Sequence, residues 1–233
     1  MDTFGVVVVA AGRGTRMGTA ESKQYLPLGG KPILVHTLET FERMAEASEI
    51  VLVVGAGEME RCLDYAVEYG LRKVRVVAGG AERQHSVRAG LKALGAEVEW
   101  VLVHDAVRPF AEPAHIIACW QEAVAHGAAV LAVQVKDTIK VVDEGGIIRS
   151  TPDRRTLWAI QTPQAFRRPL LEKAHAAAER DGVLGTDDAM LVERLGQPVR
   201  VVQSDYTNIK ITTPDDLAWA QWYGERNRER ESE

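Results

Sequence analysis

Cysteine is scarce in this chain. Cys62 and Cys119 are the only two in 233 residues, far apart and without C-x-x-C spacing. That argues against a zinc ribbon or a dithiol redox motif, and a chain of this size needs no disulfide framework. Long hydrophobic runs are missing too. No apolar stretch reaches membrane-spanning length, and the opening "MDTFG" lacks the basic region of a secretory leader. A reducing cytoplasm is therefore the expected compartment, with no membrane partner. Positive charge is not in excess: the net charge is −5, so nucleic acid is not an expected partner. Neither common phosphate-binding template occurs. There is no G-x-x-x-x-G-K-[ST], and the glycine-rich stretch "VVVVAAGRGTRMG" misses G-x-G-x-x-G. Gly12 and Gly14 have the first spacing, but the third glycine, Gly18, comes one residue late. The length allows one large α/β domain or two small ones. With no repeats and no low-complexity linker, a single domain over residues 1–233 is expected.

What is present is a rhythm. Strand-like runs recur as "FGVVVVA" from Phe4, "IVLVVG" from Ile50, "VRVVAGG" from Val74, "WVLVHDA" from Trp100, "AAVLAVQV" from Ala128 and "VRVVQ" from Val199. They are continuously apolar rather than alternating, which predicts strands covered on both faces. Amphipathic segments lie between most of them. "KPILVHTLETFERM" lines up Ile33, Leu34, Leu38 and Phe41, with Pro32 suited to a first helical turn, and "RQHSVRAGLKAL" lines up Val87, Leu91 and Leu94. Alternating β and α implies an α/β, Rossmann-like, mainly parallel twisted sheet with helices on both faces and ligands at the carboxyl ends of the strands. Residues 136–158 break the rhythm. "TIKVV" and "GIIRS" flank Asp143-Glu144-Gly145-Gly146, a hairpin signal, so a β-hairpin arm projecting from the body is expected there.

Four stretches carry candidate chemistry. In the first loop, glycines let backbone N–H groups approach phosphates, and Arg13, Arg16 and Lys23 supply charge that a triphosphate needs. Ala10 and Ala11 leave room for a flat base; taken alone, the loop is equally well explained as a structural βα turn. In "VHDAVRP", Asp105 ends a strand where ligands bind, and its carboxylate suits Mg²⁺; the alternative is a turn cap. His104 beside it reads as structural or orienting. In "GGAERQHSVRAGL", Ser86 sits one turn into a helix that begins near Glu82. In "NIKITTPDDL", Lys210 lies in a short β-prone run, while Thr213 and Asp216 form a capping box for a last helix.

Taken in order, A-A-G-x-G-x-R-M, K-Q-Y, H-D-A-x-R-P, D-T-x-K, T-P-Q-x-F and N-I-K-x-T closely resemble the 2-C-methyl-D-erythritol 4-phosphate cytidylyltransferase family, from about Phe4 to Tyr223. The resemblance implies a glycosyltransferase-A-like nucleotidyltransferase fold. It also implies transfer of a cytidylyl group from CTP to a polyol phosphate in the non-mevalonate isoprenoid pathway. It assigns Lys23, Lys210 and Arg16 to catalysis. Ala10, Ala11, Gly12, Gly14, Gly80, Ser86 and Asp105 go to CTP, with Asp105 beside Mg²⁺. Thr138, Arg154, Arg108, Thr162 and Thr186 go to the second substrate. It further implies a homodimer in which the arm carrying Thr138 and Arg154 reaches the partner's site. Ala81 stands where some relatives carry an acidic residue, and Thr207 where an acidic residue is commoner, which puts a nucleotide contact from the first and metal ligation from the second in question. The nearest alternative is a ribitol or ribulose 5-phosphate cytidylyltransferase, from which Lys140 and Trp158 on the arm set this chain apart.

Overall fold

Every one of the six apolar runs becomes a strand of a single sheet. The computed structural model describes residues 3–12 and 21–232, with side chains as far as 227. In chain order the elements are β1 (Phe4–Val9), a small hairpin β2 (Pro27–Leu28) and β3 (Lys31–Pro32), α1 (Ile33–Arg43), β4 (Ala47–Val54), α2 (Met59–Glu68), β5 (Val74–Ala78), α3 (Arg83–Ala93) and β6 (Trp100–Asp105). There follow α4 (Pro113–His126), β7 (Ala128–Gln134), β8 (Val141–Val142), β9 (Ile148–Ser150), β10 (Trp158–Arg167), α5 (Arg168–Arg180), α6 (Asp188–Glu193), β11 (Arg200–Gln203) and α7 (Pro214–Ser232).

The main sheet has seven strands in the order β11-β7-β10-β6-β1-β4-β5. Its pairings are parallel except where β10 runs antiparallel to both β6 and β7. This strand was not expected from the sequence. Pro163 and three polar residues interrupt its apolar pattern, and its register against β7 shifts between Ile160 and Gln164. A proline within a sheet is accommodated at such irregularities.

The period-2 alternation of side chains divides the core. Val6, Val8 and Leu52 point to the face covered by Leu34, Leu38 and Phe41 of α1, Cys62 of α2 and Ile116 of α4. Val7, Val51 and Val53 point to the face covered by Val87 and Leu91 of α3, Leu171 of α5 and Leu191 of α6. Burial on both faces is why β1, β4, β6 and β7 read as unbroken apolar runs; the edge strand β11 departs from this expectation, with Val201 46% exposed. Pro32 is placed differently from expectation: it precedes α1, which opens at Ile33, and pairs with Pro27 in the small hairpin. A third cluster, with Ile33, Leu28, Val107, Ile211 and Ala220, seats α7 over that hairpin. The capping box is formed: Thr213 N–H donates to Asp216 Oδ2 at 2.8 Å, and Asp216 N–H to Thr213 Oγ1 at 3.3 Å.

The chain moves from β1 to β4 and β5 on one side, then to β6 on the other. Such a reversal opens a crevice at the strand carboxyl ends. Val9 and Asp105, the last residues of β1 and β6, are register partners at its mouth. Residues 141–150 form the expected hairpin, with no strand of the main sheet paired to it among the described residues.

Candidate active site

Three chain reversals after β1, β5 and β6 meet at the crevice and enclose a cavity of about 220 Å³. Its lining includes Ala10, Ala11, Gly12, Lys23, Gly80, Ser86, Asp105 and Lys210. Lys23 and Lys210, remote in sequence, thus share one cavity with the carboxylate. Gly14 and Arg16 lie outside the described residues.

The loop after β1 is closed by a residue that sequence reasoning passed over. Gln24, buried in the short turn Lys23–Tyr25, donates to the carbonyls of Ala10 at 2.8 Å and Gly12 at 3.3 Å. One side chain thereby ties the far end of the loop to its start and sets Lys23 at the rim. The only sequence signal was its place in K-Q-Y. Behind it, Arg61 of α2 forks onto Glu21 at 3.1 and 2.9 Å and lies 4.1 Å from the centre of the Tyr25 ring.

The turn after β5 is held by Ser86. Gly80 N–H donates to its hydroxyl at 3.2 Å, and the hydroxyl reaches the Glu82 carbonyl at 3.2 Å. Ser86 is buried and shapes the wall through Gly80. Gly79 is obligatory here: a Cβ would sit 2.7 Å from Ser86 Oγ and 2.8 Å from the Ala11 Cβ. Ala81 lines the cavity beside Glu82.

Asp105 is the electrostatic centre. Lys210 Nζ lies 2.8 Å from Oδ2, Arg83 Nε 3.4 Å from Oδ1 and Arg108 Nε 3.7 Å from Oδ2. Burial alone would raise its pKa, but the three cations outweigh burial and hold the carboxyl well below the usual range. Arg83, missed in the sequence, also reaches Asp188 of α6 at 2.7 Å. Its only sequence mark was its place in "GGAERQ".

The backbone of Asp105 is fixed by a relay. Its N–H donates to Thr162 Oγ1 at 3.0 Å, and Thr162 Oγ1 lies 3.1 Å from His104 Nδ1. His104 Nε2 lies 3.1 Å from the Arg108 carbonyl, which can only accept. The proton therefore belongs on Nε2, and Thr162 donates to Nδ1. Burial pushes the His104 pKa down to about 4, so the ring is neutral at physiological pH. Its role is to orient, as the sequence suggested. Arg108 also donates to the Asn208 carbonyl at 2.7 Å, and Asn208 to the Thr162 carbonyl at 3.0 Å. The "NIK" turn is thereby anchored to β10.

A second cavity, of about 150 Å³, opens on the other side of Asp105. Arg83, Asp105 and Lys210 form the shared wall, and Arg108, Thr162, Gln164, Thr186 and Asp187 contribute to the rest. Three of the residues expected on the second-substrate side therefore converge. Thr138 and Arg154 do not: they line neither cavity. Thr138 is exposed near the base of the arm, and Arg154 donates to the Lys136 carbonyl at 2.7 Å.

The described residues contain no group of three or more His, Cys, Asp or Glu side chains arranged to hold a metal. A divalent ion here would find carboxylate oxygen from Asp105, with Glu82 also on the wall of the first cavity. That fits Mg²⁺, which takes one or two carboxylates and fills its shell with phosphate oxygens and water. No described helix is long and apolar enough to cross a membrane.

Comparison with known proteins gives the arrangement a context. Residues 4–226 match the family model described as "IspD: 2-C-methyl-D-erythritol 4-phosphate cytidylyltransferase". A curated relative of that name from Geobacillus kaustophilus is 50% identical over 219 residues, 94% of this chain and 95% of its own length. Among solved structures, 4-diphosphocytidyl-2C-methyl-D-erythritol synthase from Anaerococcus prevotii superposes with a TM-score of 0.85 at 34% identity, covering 96% of both chains. The 2-C-methyl-D-erythritol 4-phosphate cytidylyltransferase of Thermus thermophilus superposes at 0.81 with 35% identity, covering 97% of this chain and all of that one.

Proposed function

Because this chain belongs to the 2-C-methyl-D-erythritol 4-phosphate cytidylyltransferase family, we propose that its two adjoining cavities are the seats of CTP and 2-C-methyl-D-erythritol 4-phosphate. The enzyme transfers a cytidylyl group between them, releasing pyrophosphate for the non-mevalonate isoprenoid pathway. The observation that carries the site assignment is the shared wall. Lys210 and Asp105 face both cavities, and Lys23 stands on the nucleotide side.

The chemistry follows from charge. A phosphomonoester oxygen of the polyol phosphate attacks the α-phosphorus in line. The new P–O bond forms as the bond to the β-phosphate bridging oxygen breaks, and pyrophosphate leaves with the electron pair. The nucleophile is already anionic near neutral pH, so no strong base is required. The barrier lies in bringing polyanions together. Lys23, Lys210 and Arg16 offset that repulsion and stabilise charge on the transferring group. Ala10, Ala11 and Gly12 present loop backbone to the nucleotide, a role the family resemblance extends to Gly14, and Gly80 with Ser86 forms the base pocket. Asp105 is the residue that would hold Mg²⁺, which would supply further charge neutralisation. Thr186, Arg108 and Thr162 serve the polyol phosphate, with Thr162 acting chiefly by fixing Asp105.

The arm supports a homodimer. Ile139, Val141, Val142, Ile147 and Ile148 are 40–59% exposed on it, an apolar surface that suits a partner. Thr138 and Arg154, which line neither of these two cavities in their own chain, then complete the partner's polyol phosphate seat. The buried, unpaired Cys62 and Cys119 agree with a cytoplasmic location.

A substrate panel tests the reading. With CTP and Mg²⁺, pyrophosphate release is expected with 2-C-methyl-D-erythritol 4-phosphate and only weakly with ribitol or ribulose 5-phosphate. Equal or faster release with either pentose derivative would overturn the choice of substrate.

A further inference from the structure

The segment carrying Thr186 is anchored on the core at Val183, but beyond it apolar contact is slight. Leu184 is 57% exposed, and Gly185 and Thr186 have no regular structure. It is instead gripped by polar side chains from elements far away in sequence. Gln84, in the first turn of α3 and 7% exposed, donates to the Val183 carbonyl at 3.1 Å. Its carboxamide oxygen accepts from Gly185 N–H at 2.9 Å. Gln164 of β10, 1% exposed, donates to Asp187 at 2.8 Å and accepts from Ala189 N–H at 3.1 Å. Each carboxamide uses its donor and its acceptor on the same short stretch, one at either side of Thr186. This is the geometry of a bracket, because a planar amide with both ends engaged fixes orientation as well as distance.

We propose that Gln84 is a positioning residue for the polyol phosphate: it sets Thr186 and Asp187 against Lys210 and Arg108 without touching substrate itself. Gln84 lines neither cavity, yet its neighbours on α3 do: Arg83 faces both and Ser86 the nucleotide side. The helix start that shapes the nucleotide wall therefore also holds the segment across from the nucleophile. Gly185 is part of the same device. A Cβ there would meet Leu191 Cδ2 at 2.6 Å and the Asp187 carbonyl oxygen at 2.9 Å, so a side chain would push the segment from its opposite end. The inference rests on the assignment of the second cavity to the polyol phosphate, and its test separates the two.

The experiment is calorimetric titration of 2-C-methyl-D-erythritol 4-phosphate into full-length enzyme saturated with Mg²⁺ and a non-hydrolysable CTP analogue. A parallel titration of the analogue alone and a thermal melt accompany each variant. Gln84→Leu, which keeps the bulk and removes both hydrogen bonds, is expected to weaken polyol phosphate binding on the order of tenfold. Affinity for the CTP analogue should stay within about twofold of the parent, since the nucleotide wall is untouched. Gly185→Ala, acting from the other end, is expected to give the same split and guards against a folding failure in the first variant. Thr186→Ala tests the cavity itself, and polyol phosphate affinity unchanged in it overturns the assignment and this inference together. If Thr186→Ala weakens binding while Gln84→Leu and Gly185→Ala leave it at the parent value, the positioning role alone is rejected. Equal loss of both ligands with a lowered melting temperature would also reject it, marking Gln84 as a general structural residue.

Discussion

At the level of single residues, the site is a problem in paired charge. Lys210 is 38% exposed, and its partner Asp105 keeps Arg83 and Arg108 when the lysine is removed. The folded state therefore loses little, about 1 kcal/mol or less for a partly exposed pair. The reaction loses much more, because a preorganised cation at developing charge contributes on the order of 10²–10³ in rate. Lys210→Ala and Lys23→Ala are accordingly expected to lower kcat by that factor, with melting temperatures within a few degrees of the parent. Single-turnover kinetics beside a thermal melt would check this, and undiminished turnover in either variant would refute it. Asp105 was legible because it ends an apolar run, and a strand end in an α/β sheet is a ligand-facing position; Lys23 and Lys210 were legible through the K-Q-Y and N-I-K-x-T motifs that carry the family resemblance. Arg83, Gln24 and Gln84 were not. Each owes its function to partners outside its own segment: Asp188 for Arg83, Ala10 and Gly12 for Gln24, Val183 and Gly185 for Gln84. Local pattern carries no trace of such pairings.

Among the elements, β10 and α6 show where periodicity fails as a guide. The central apolar strands β1, β4, β6 and β7 announced themselves because both faces are covered by helices. β10 carries Gln161, Thr162 and Gln164 at 6%, 5% and 1% exposure, polar residues that a sequence reading assigns to a loop. They can be buried because Asn208, His104 and Asp187 satisfy them, and those partners arrive from other elements. Helix α6 depends on the same kind of bond. Asp188 is 1% exposed, with Arg83 on one carboxylate oxygen and His175 at 3.0 Å on the other. Burial pushes its pKa up, yet the Arg83 charge and the His175 hydrogen bond prevail and leave it below the ordinary value of 3.8. A carboxyl depressed in the folded state adds stability above its ordinary pKa, and that stability is lost as pH falls through the folded value. Asp188→Asn should thus destabilise the protein by about 3 kcal/mol at pH 7, the cost of removing one partner from a buried pair. The difference from the parent should narrow as pH drops below about 4. Denaturant melts across that range would show it, and a gap that stays constant with pH would contradict the assignment.

For the molecule as a whole, the question is whether one chain can make a complete site. The first cavity gathers Lys23, Asp105 and Lys210 from one chain. The second cavity, proposed for the polyol phosphate, does not gather Thr138 and Arg154. The arm that bears them exposes a row of isoleucines and valines that solvent alone gives no reason to keep. If the arm crosses to a partner, two defects in different subunits become complementary. A Lys23→Ala subunit lacks its own catalytic cation but still offers an intact arm. An Arg154→Ala subunit lacks the arm contact but has its own catalytic lysines. In a mixed dimer the second subunit's site receives the first subunit's arm and is whole. Random exchange of equal amounts makes half the dimers mixed, each with one good site, so activity should return to about a quarter of the parent level. An arm that serves its own chain predicts something else, since every site in the mixture then carries one of the two defects and activity stays at the level of the separate variants. Subunit exchange verified by native mass spectrometry, followed by the pyrophosphate assay, decides between the two. Recovery would place Arg154 in the neighbouring site, whereas its absence despite proven exchange would return the arm to its own chain.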